Sequence, residues 1–203
     1  MIKLFPIHVY KGTIIPSSED EINSSNKLSE LFKKCDVNYW PGESNKSTGQ
    51  LNLDLHSLKE FDWLTNSLLP YVRDYWNNGL EYAPMNICLR DSWANIHGYG
   101  DTTAEHSHSD GYHGNCHVSA VYYFKKPKDC GHIMFCDPLD YIKRLTPYRN
   151  LKGIELLSNE VKAEQYDFIL FPSWIRHKVP PHPVKEERIS LSFNYIGYDY
   201  INK

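Results

Sequence analysis

Histidine is crowded into one part of this 203-residue chain. Five of its ten histidines (His97, His106, His108, His113, His117) fall between positions 97 and 117. Within that stretch stands His106-Ser107-His108-Ser109-Asp110. Side chains two residues apart in extended backbone share one side of a sheet. His108 with Asp110, or His106 with His108, can therefore present ligating atoms to one metal ion. A further imidazole is available far downstream, in Phe171-Pro172-Ser173-Trp174-Ile175-Arg176-His177. Two imidazoles and a carboxylate that leave coordination positions open suit ferrous iron. Arg188 follows in Arg188-Ile189-Ser190-Leu191-Ser192-Phe193-Asn194, where alternate residues are polar. Turned outward, that polar set is the wet face of a sandwich. Turned inward, its guanidinium is a fork for a carboxylate ligand.

These groups need elements to position them. From residue 84 the apolar period is about 2, with Ile87, Leu89, Trp93 and Ile96 in an extended segment. Gly98-Tyr99-Gly100-Asp101 is a turn signal. Strands are expected over 117–125, 131–136, 165–171 and 187–196, the last two closing the domain, with 137–163 irregular. Upstream, residues 1–15 read as a short strand. Ser17-Ser18-Glu19-Asp20 reads as a helix start, Ile22 to Cys35 as a helix, and 36–50 as a loop. Leu58 to Asn78 is the strongest helix, with Phe61, Leu64, Leu68, Val72 and Trp76 in one stripe and Pro70 interrupting it. Helices followed by at least five short strands, without βαβ alternation, give an α+β fold. The natural architecture is a double-sheet jelly roll with helices covering one side. One domain over 1–203 is expected, with 1–83 mainly helical covering and 84–203 the jelly-roll core.

Composition narrows the partners. A formal net charge of −3 offers no basic field for nucleic acid. The five cysteines (Cys35, Cys88, Cys116, Cys130, Cys136) are scattered and form no CxxC pair, which argues against a zinc ribbon or a redox dithiol. With an N-terminus too short and mixed for a secretory signal, they point to a reducing cytoplasm. No apolar stretch approaches the roughly 18 residues that span a bilayer, so no membrane partner is expected.

Taken in order, His108-Ser109-Asp110, Val121-Tyr122-Tyr123, His177 and Arg188-Ile189-Ser190 resemble the motif of the Fe(II)/2-oxoglutarate-dependent dioxygenases. The similarity is greatest to the prolyl-4-hydroxylase-like branch and related phage and bacterial oxygenases, and it covers residues 93–196. The resemblance implies a double-stranded β-helix core of the jelly-roll or cupin-like kind. It implies that His108, Asp110 and His177 form the catalytic centre as ligands of Fe(II). The cosubstrate 2-oxoglutarate would chelate the metal, and its far carboxylate would meet Arg188, Ser190 and Tyr123. O2 would take the remaining position, and ascorbate is a candidate reductant. Decarboxylation to succinate and CO2 would then be coupled to hydroxylation of a substrate C–H.

A peptidyl proline is the substrate this branch suggests, with another side chain or a small molecule as alternatives. The cytoplasm, or a host cytoplasm for a phage protein, is the implied location; the oligomeric state is not readable. Some relatives carry His-x-His at the first motif, which keeps the His106/His108 pair open. If Asp110 ligates, His106 falls behind the ligands or near the substrate.

Other residues carry weaker signals. Asn95 is expected beside the cosubstrate or in a structural hydrogen bond. Segments 111–117 and 137–163 are the expected selectors of substrate. His113 and His117 read as solvated loop residues, Trp174 as packing, and His182 has no evident partner. Cys116 lacks the neighbouring base of a catalytic thiol. Two other classes remain: a cupin-like metal enzyme that does not use 2-oxoglutarate, and a non-catalytic jelly-roll binding module. The first has no need of Arg188 and Ser190, and the second would bind no stoichiometric metal.

Overall fold

A computed structural model of the chain describes residues 6–37, 42–109, 115–140 and 158–198. Helix α1 spans Ser18–Phe32. Ser17 caps it by accepting from the Asp20 N–H at 3.1 Å, and Glu19, Asp20 and Glu21 face the positive end of the helix dipole. The helix therefore begins at the cap signal itself, ahead of Ile22. Helix α2 spans Asp62–Asp74, buries Leu64, Leu68 and Val72, and runs on through Pro70. It then widens into a single π-helical turn, Tyr75–Gly79, that buries Tyr75 and Trp76.

The strands are β1 (Tyr10–Thr13), β2 (Lys46–Ser47), β3 (Asn86–His97), β4 (Thr103–His106) and β5 (Val118–Lys125). They continue with β6 (Ile133–Cys136), β7 (Ser158–Val161), β8 (Asp167–Pro172), β9 (His177–Val179) and β10 (Arg188–Tyr198). The larger sheet has the order β1-β8-β5-β10-β3-β2, the smaller β4-β9-β6-β7, and every pairing is antiparallel.

Several expectations are corrected. The 36–50 loop contains β2 and a 3₁₀ turn, Thr48–Leu51. The irregular 137–163 segment contains β7; residues 141–157 lie outside the described residues. A further strand, β9, lies between the two expected to close the domain. The N-terminal covering is also more than helical, because β1 and β2 form the two edges of the larger sheet.

Alternation along the strands sorts residues onto two faces of the larger sheet. On the outer face Ala94, Tyr122, Phe168, Leu191, Phe193 and Tyr195 join Leu28 and Leu31 of α1 and Leu64, Leu68 and Val72 of α2 in the main hydrophobic core. On the inner face Val121, Tyr123, Ile169 and Phe171 pack with Ile133 and Phe135 of the smaller sheet. The polar set of β10 also faces inward: Arg188, Ser190, Ser192 and Asn194 are all buried. Register then builds transverse rows across this face. Tyr123, Ser190 and Asn95 form one row, and Val121, Ser192 and Trp93 the next. Ser119, Asn194 and Asp91 form a third, and Arg188 stands opposite His97 at the far end. β10 leaves the core beneath the π-helical turn, where a Cβ built at Gly197 would lie 2.6 Å from Trp76 Cζ2.

Candidate metal centre and its cavity

β4 and β9 pair so that His106 stands opposite His177. His108 lies in the bend beyond the end of β4, held by its backbone N–H donating to Ser173 O at 2.8 Å. The extended backbone expected through this motif thus stops at His106, yet the three imidazoles still converge. Their ring centroids are 4.4 Å (His106–His177), 5.0 Å (His108–His177) and 5.1 Å (His106–His108) apart. One ligand atom from each falls within 4.8 Å of the others. Asp110 lies outside the described residues.

Hydrogen bonding sets the tautomers. His106 Nδ1 lies 2.8 Å from Ala104 O, and His177 Nδ1 lies 3.1 Å from Ile175 O. A carbonyl only accepts, so both Nδ1 atoms carry the hydrogen. His108 Nδ1 lies 2.8 Å from both Asn194 Oδ1 and Ser119 Oγ. The Asn194 amide is oriented by Asp91, whose Oδ1 accepts from Asn194 Nδ2 at 2.6 Å. Oδ1 is thereby left to accept from His108, and from Ser119 Oγ at 2.7 Å. On all three rings the hydrogen sits on Nδ1, so in the neutral form the lone pair is on Nε2.

This donor set fits a metal ion. The Nε2 atoms of His106 and His108 are 3.1 Å apart. Two imidazole nitrogens bound about 2.1 Å from one metal at a right angle stand about 3.0 Å apart. A divalent cation would accept from both nitrogens of the neutral rings, and the supports behind each Nδ1 are the kind that hold metal-ligating histidines.

The cluster opens on a cavity of about 700 Å³ that His106, His108 and His177 help to line. Ser190 and Asn95 line it as well. Arg188 and Tyr123 are fully buried beside these residues, in the adjoining positions of the ladder. Arg188 donates through Nη1 to Gly131 O at 3.0 Å, its Nε has no partner, and no carboxylate pairs with it among the described residues. Burial works against the charge of this guanidinium, and an interior cation without a counter-charge is costly. A dicarboxylate ligand supplies that counter-charge. Burial also pushes the Tyr123 hydroxyl up to about 12, so it stays protonated and able to donate. Glu43 and Asp54 are acidic members of the lining; burial raises the Glu43 carboxyl to about 7.

The other candidates fall elsewhere. His113 lies outside the described residues. His117 packs edge-on to Trp76 and accepts from the Gly197 N–H at 3.1 Å, so it is no solvated loop residue. Trp174 is 46% exposed and not a packing residue. His182 does have a partner: it is fully buried and donates from Nε2 to Glu186 O at 2.7 Å. Burial pushes the Cys116 thiol up to about 11, the opposite of an activated nucleophile. Sequence reasoning overlooked Asp91, Ser119 and the role of Asn194. Ser119 had a signal, a hydroxyl inside the buried apolar run Val118–Phe124; Asp91 had none.

A family model for 2OG-Fe(II) oxygenases matches residues 91–194. Among proteins of curated function, none matches the chain. Solved structures share its fold. A Pseudomonas putida prolyl-4-hydroxylase superposes with a TM-score of 0.60 at 14% identity, covering 95% of this chain and 94% of that one. HygX from Streptomyces hygroscopicus, solved with nickel, 2-oxoglutarate and hygromycin B, gives 0.62 at 14% identity, covering 96% and 84%. The viral collagen prolyl hydroxylase of Paramecium Bursaria Chlorella virus-1, in a 2-oxoglutarate complex, gives 0.57 at 12% identity, covering 94% and 96%. The antiparallel sheets described above are thus those of a double-stranded β-helix with few helices. No helix among the described residues is long and apolar enough to cross a membrane.

Proposed function

Because the chain belongs to the 2OG-Fe(II) oxygenase family, we propose that its converging imidazoles hold the ferrous ion and that the Arg188 end of the cavity receives 2-oxoglutarate. The observation that carries this reading is the convergence of three imidazoles, one ligand atom of each within 4.8 Å of the others, with each Nδ1 tied back to the protein. Iron bound with 2-oxoglutarate and O2 supplies the oxidising power for C–H hydroxylation, with succinate and CO2 as the other products.

The chain's own residues bind, orient and exclude water. His108 and His177 provide two ligands. Arg188 pairs with the far carboxylate of the cosubstrate, and the hydroxyls of Ser190 and Tyr123 add hydrogen bonds. Asn95, on the row of Ser190, adjoins the cosubstrate. Val121, Ile133 and Phe171 give the cavity apolar walls that keep water from the centre.

Geometry supports His106 for the third ligand position, and the sequence motif supports Asp110. Metal titration of His106→Ala and Asp110→Ala separates them: the true ligand loses metal affinity together with 2-oxoglutarate turnover, and the other variant retains metal. His108→Ala and His177→Ala are expected to abolish both. Metal binding and turnover unchanged in those two variants would refute the centre.

A peptide or a small polar molecule is the substrate class. Glu43, Asp54 and Trp93 line the cavity with acceptors and an aromatic face, which suit a substrate presenting amide, hydroxyl or amine hydrogens. A peptidyl proline is the specific candidate, supported by the prolyl hydroxylases among the structural relatives.

A further inference from the structure

His97 ends β3 directly opposite Arg188 in the antiparallel ladder. It is 1% exposed and helps to line the cavity. Its Nε2 lies 2.9 Å from Thr103 Oγ1, and its Nδ1 has no partner among the described residues. Two neighbouring strands therefore bring an unpartnered buried nitrogen each to facing positions of the ladder, His97 Nδ1 on a residue of the cavity wall and Arg188 Nε on the residue opposite it. The nearby His182 also has an unpartnered Nδ1, but it is not among the residues that line the cavity, and its Nε2 donates to Glu186 O. Burial, and after it the charge of Arg188, hold His97 well below the usual histidine range, so the ring is neutral. A neutral imidazole beside an arginine adds a hydrogen-bond donor without adding a second charge that the interior would have to carry.

We propose that His97 donates its Nδ1–H to the far carboxylate of 2-oxoglutarate beside Arg188, with the Thr103 hydroxyl donating to Nε2 to hold that tautomer. This rests on the 2-oxoglutarate reading above and assigns that anchor a second residue. The competing account is that His97 serves only to tie β3 to β4 through Thr103.

Amide side chains distinguish the two. Asparagine at 97 places its nitrogen near the Nδ1 position, whereas glutamine reaches toward the Nε2 position. Calorimetric titration of the Mn(II)-loaded protein with 2-oxoglutarate gives a binding constant that does not depend on turnover. 2-Oxopentanoate, which carries a methyl group in place of the far carboxylate, is the control ligand. His97→Gln is expected to weaken 2-oxoglutarate roughly tenfold, the scale of one hydrogen bond to a charged group. His97→Asn is expected to recover most of that loss, and neither variant to change 2-oxopentanoate binding. Thr103→Val leaves the ring in place but frees its tautomer, so it too is expected to weaken 2-oxoglutarate severalfold; it serves if the His97 variants do not fold. The proposal is overturned if glutamine binds as wild type while asparagine is impaired. It is overturned equally if Thr103→Val leaves 2-oxoglutarate affinity intact, or if 2-oxopentanoate weakens in parallel. Absence of saturable 2-oxoglutarate binding to the wild-type Mn(II) protein would instead remove the underlying oxygenase reading.

Discussion

Asn194 meets partners of opposite kinds, donating to Asp91 and accepting from His108 and Ser119. An isosteric leucine keeps the volume and removes both functions. Asn194→Leu is expected to lower metal affinity about 10- to 100-fold, the range for groups that orient a metal-ligating histidine. Competition against a chelator of known affinity measures this, with circular dichroism to verify the fold. Retained affinity would mean that Ser119 alone suffices to hold the ring. At this scale the sequence was readable in residue types more than in partnerships. Crowded histidines and the inward polar set of β10 stood out by spacing. The partners of Asn194 lie 103, 86 and 75 residues away, and no local pattern points to them. His97 was hidden for a related reason, since its interest comes from Arg188 across the ladder and not from its own neighbours in the chain.

At the scale of elements, length decided what could be read. β10 has eleven residues and β3 twelve, long enough for period-2 alternation to show. β9 has three residues and β2 two, too few for any period, so the strand that carries His177 was not foreseen. Their pairing comes from neighbours in space: β9 is held between β4 and β6. The exit of β10 under the π-helical turn gives a direct test of packing. Gly197→Ala drives a methyl group into Trp76, which is 1% exposed and has its indole N–H fixed to Ala83 O at 2.9 Å. A cost of about 1–3 kcal/mol is expected for overpacking of this kind, read from urea unfolding followed by tryptophan fluorescence. Wild-type stability in this variant would show that the turn shifts freely.

For the whole molecule, metal binding and folding are linked because the three imidazoles come from segments about seventy residues apart in the chain. Free Mn(II) at a hundredfold excess over its dissociation constant is expected to add about 2.7 kcal/mol. For a chain of this size that is a rise in melting temperature of about 5–10 °C, reversed by chelator and lost in His108→Ala. An equal rise in that variant would place the stabilising ion elsewhere. The larger sheet puts the two faces of β10 to different uses, with Leu191 and Phe193 against the helices and Ser190 and Ser192 against the cavity, flanked by the buried Arg188 and Asn194. Because strand side chains alternate, a slip of one position would exchange these sets completely. Such a chain would offer leucine and phenylalanine to the cosubstrate and bury a guanidinium beneath the helices. Misalignment therefore yields no weakened enzyme: the same ladder that aligns the catalytic groups is the one whose failure leaves the chain without an interior.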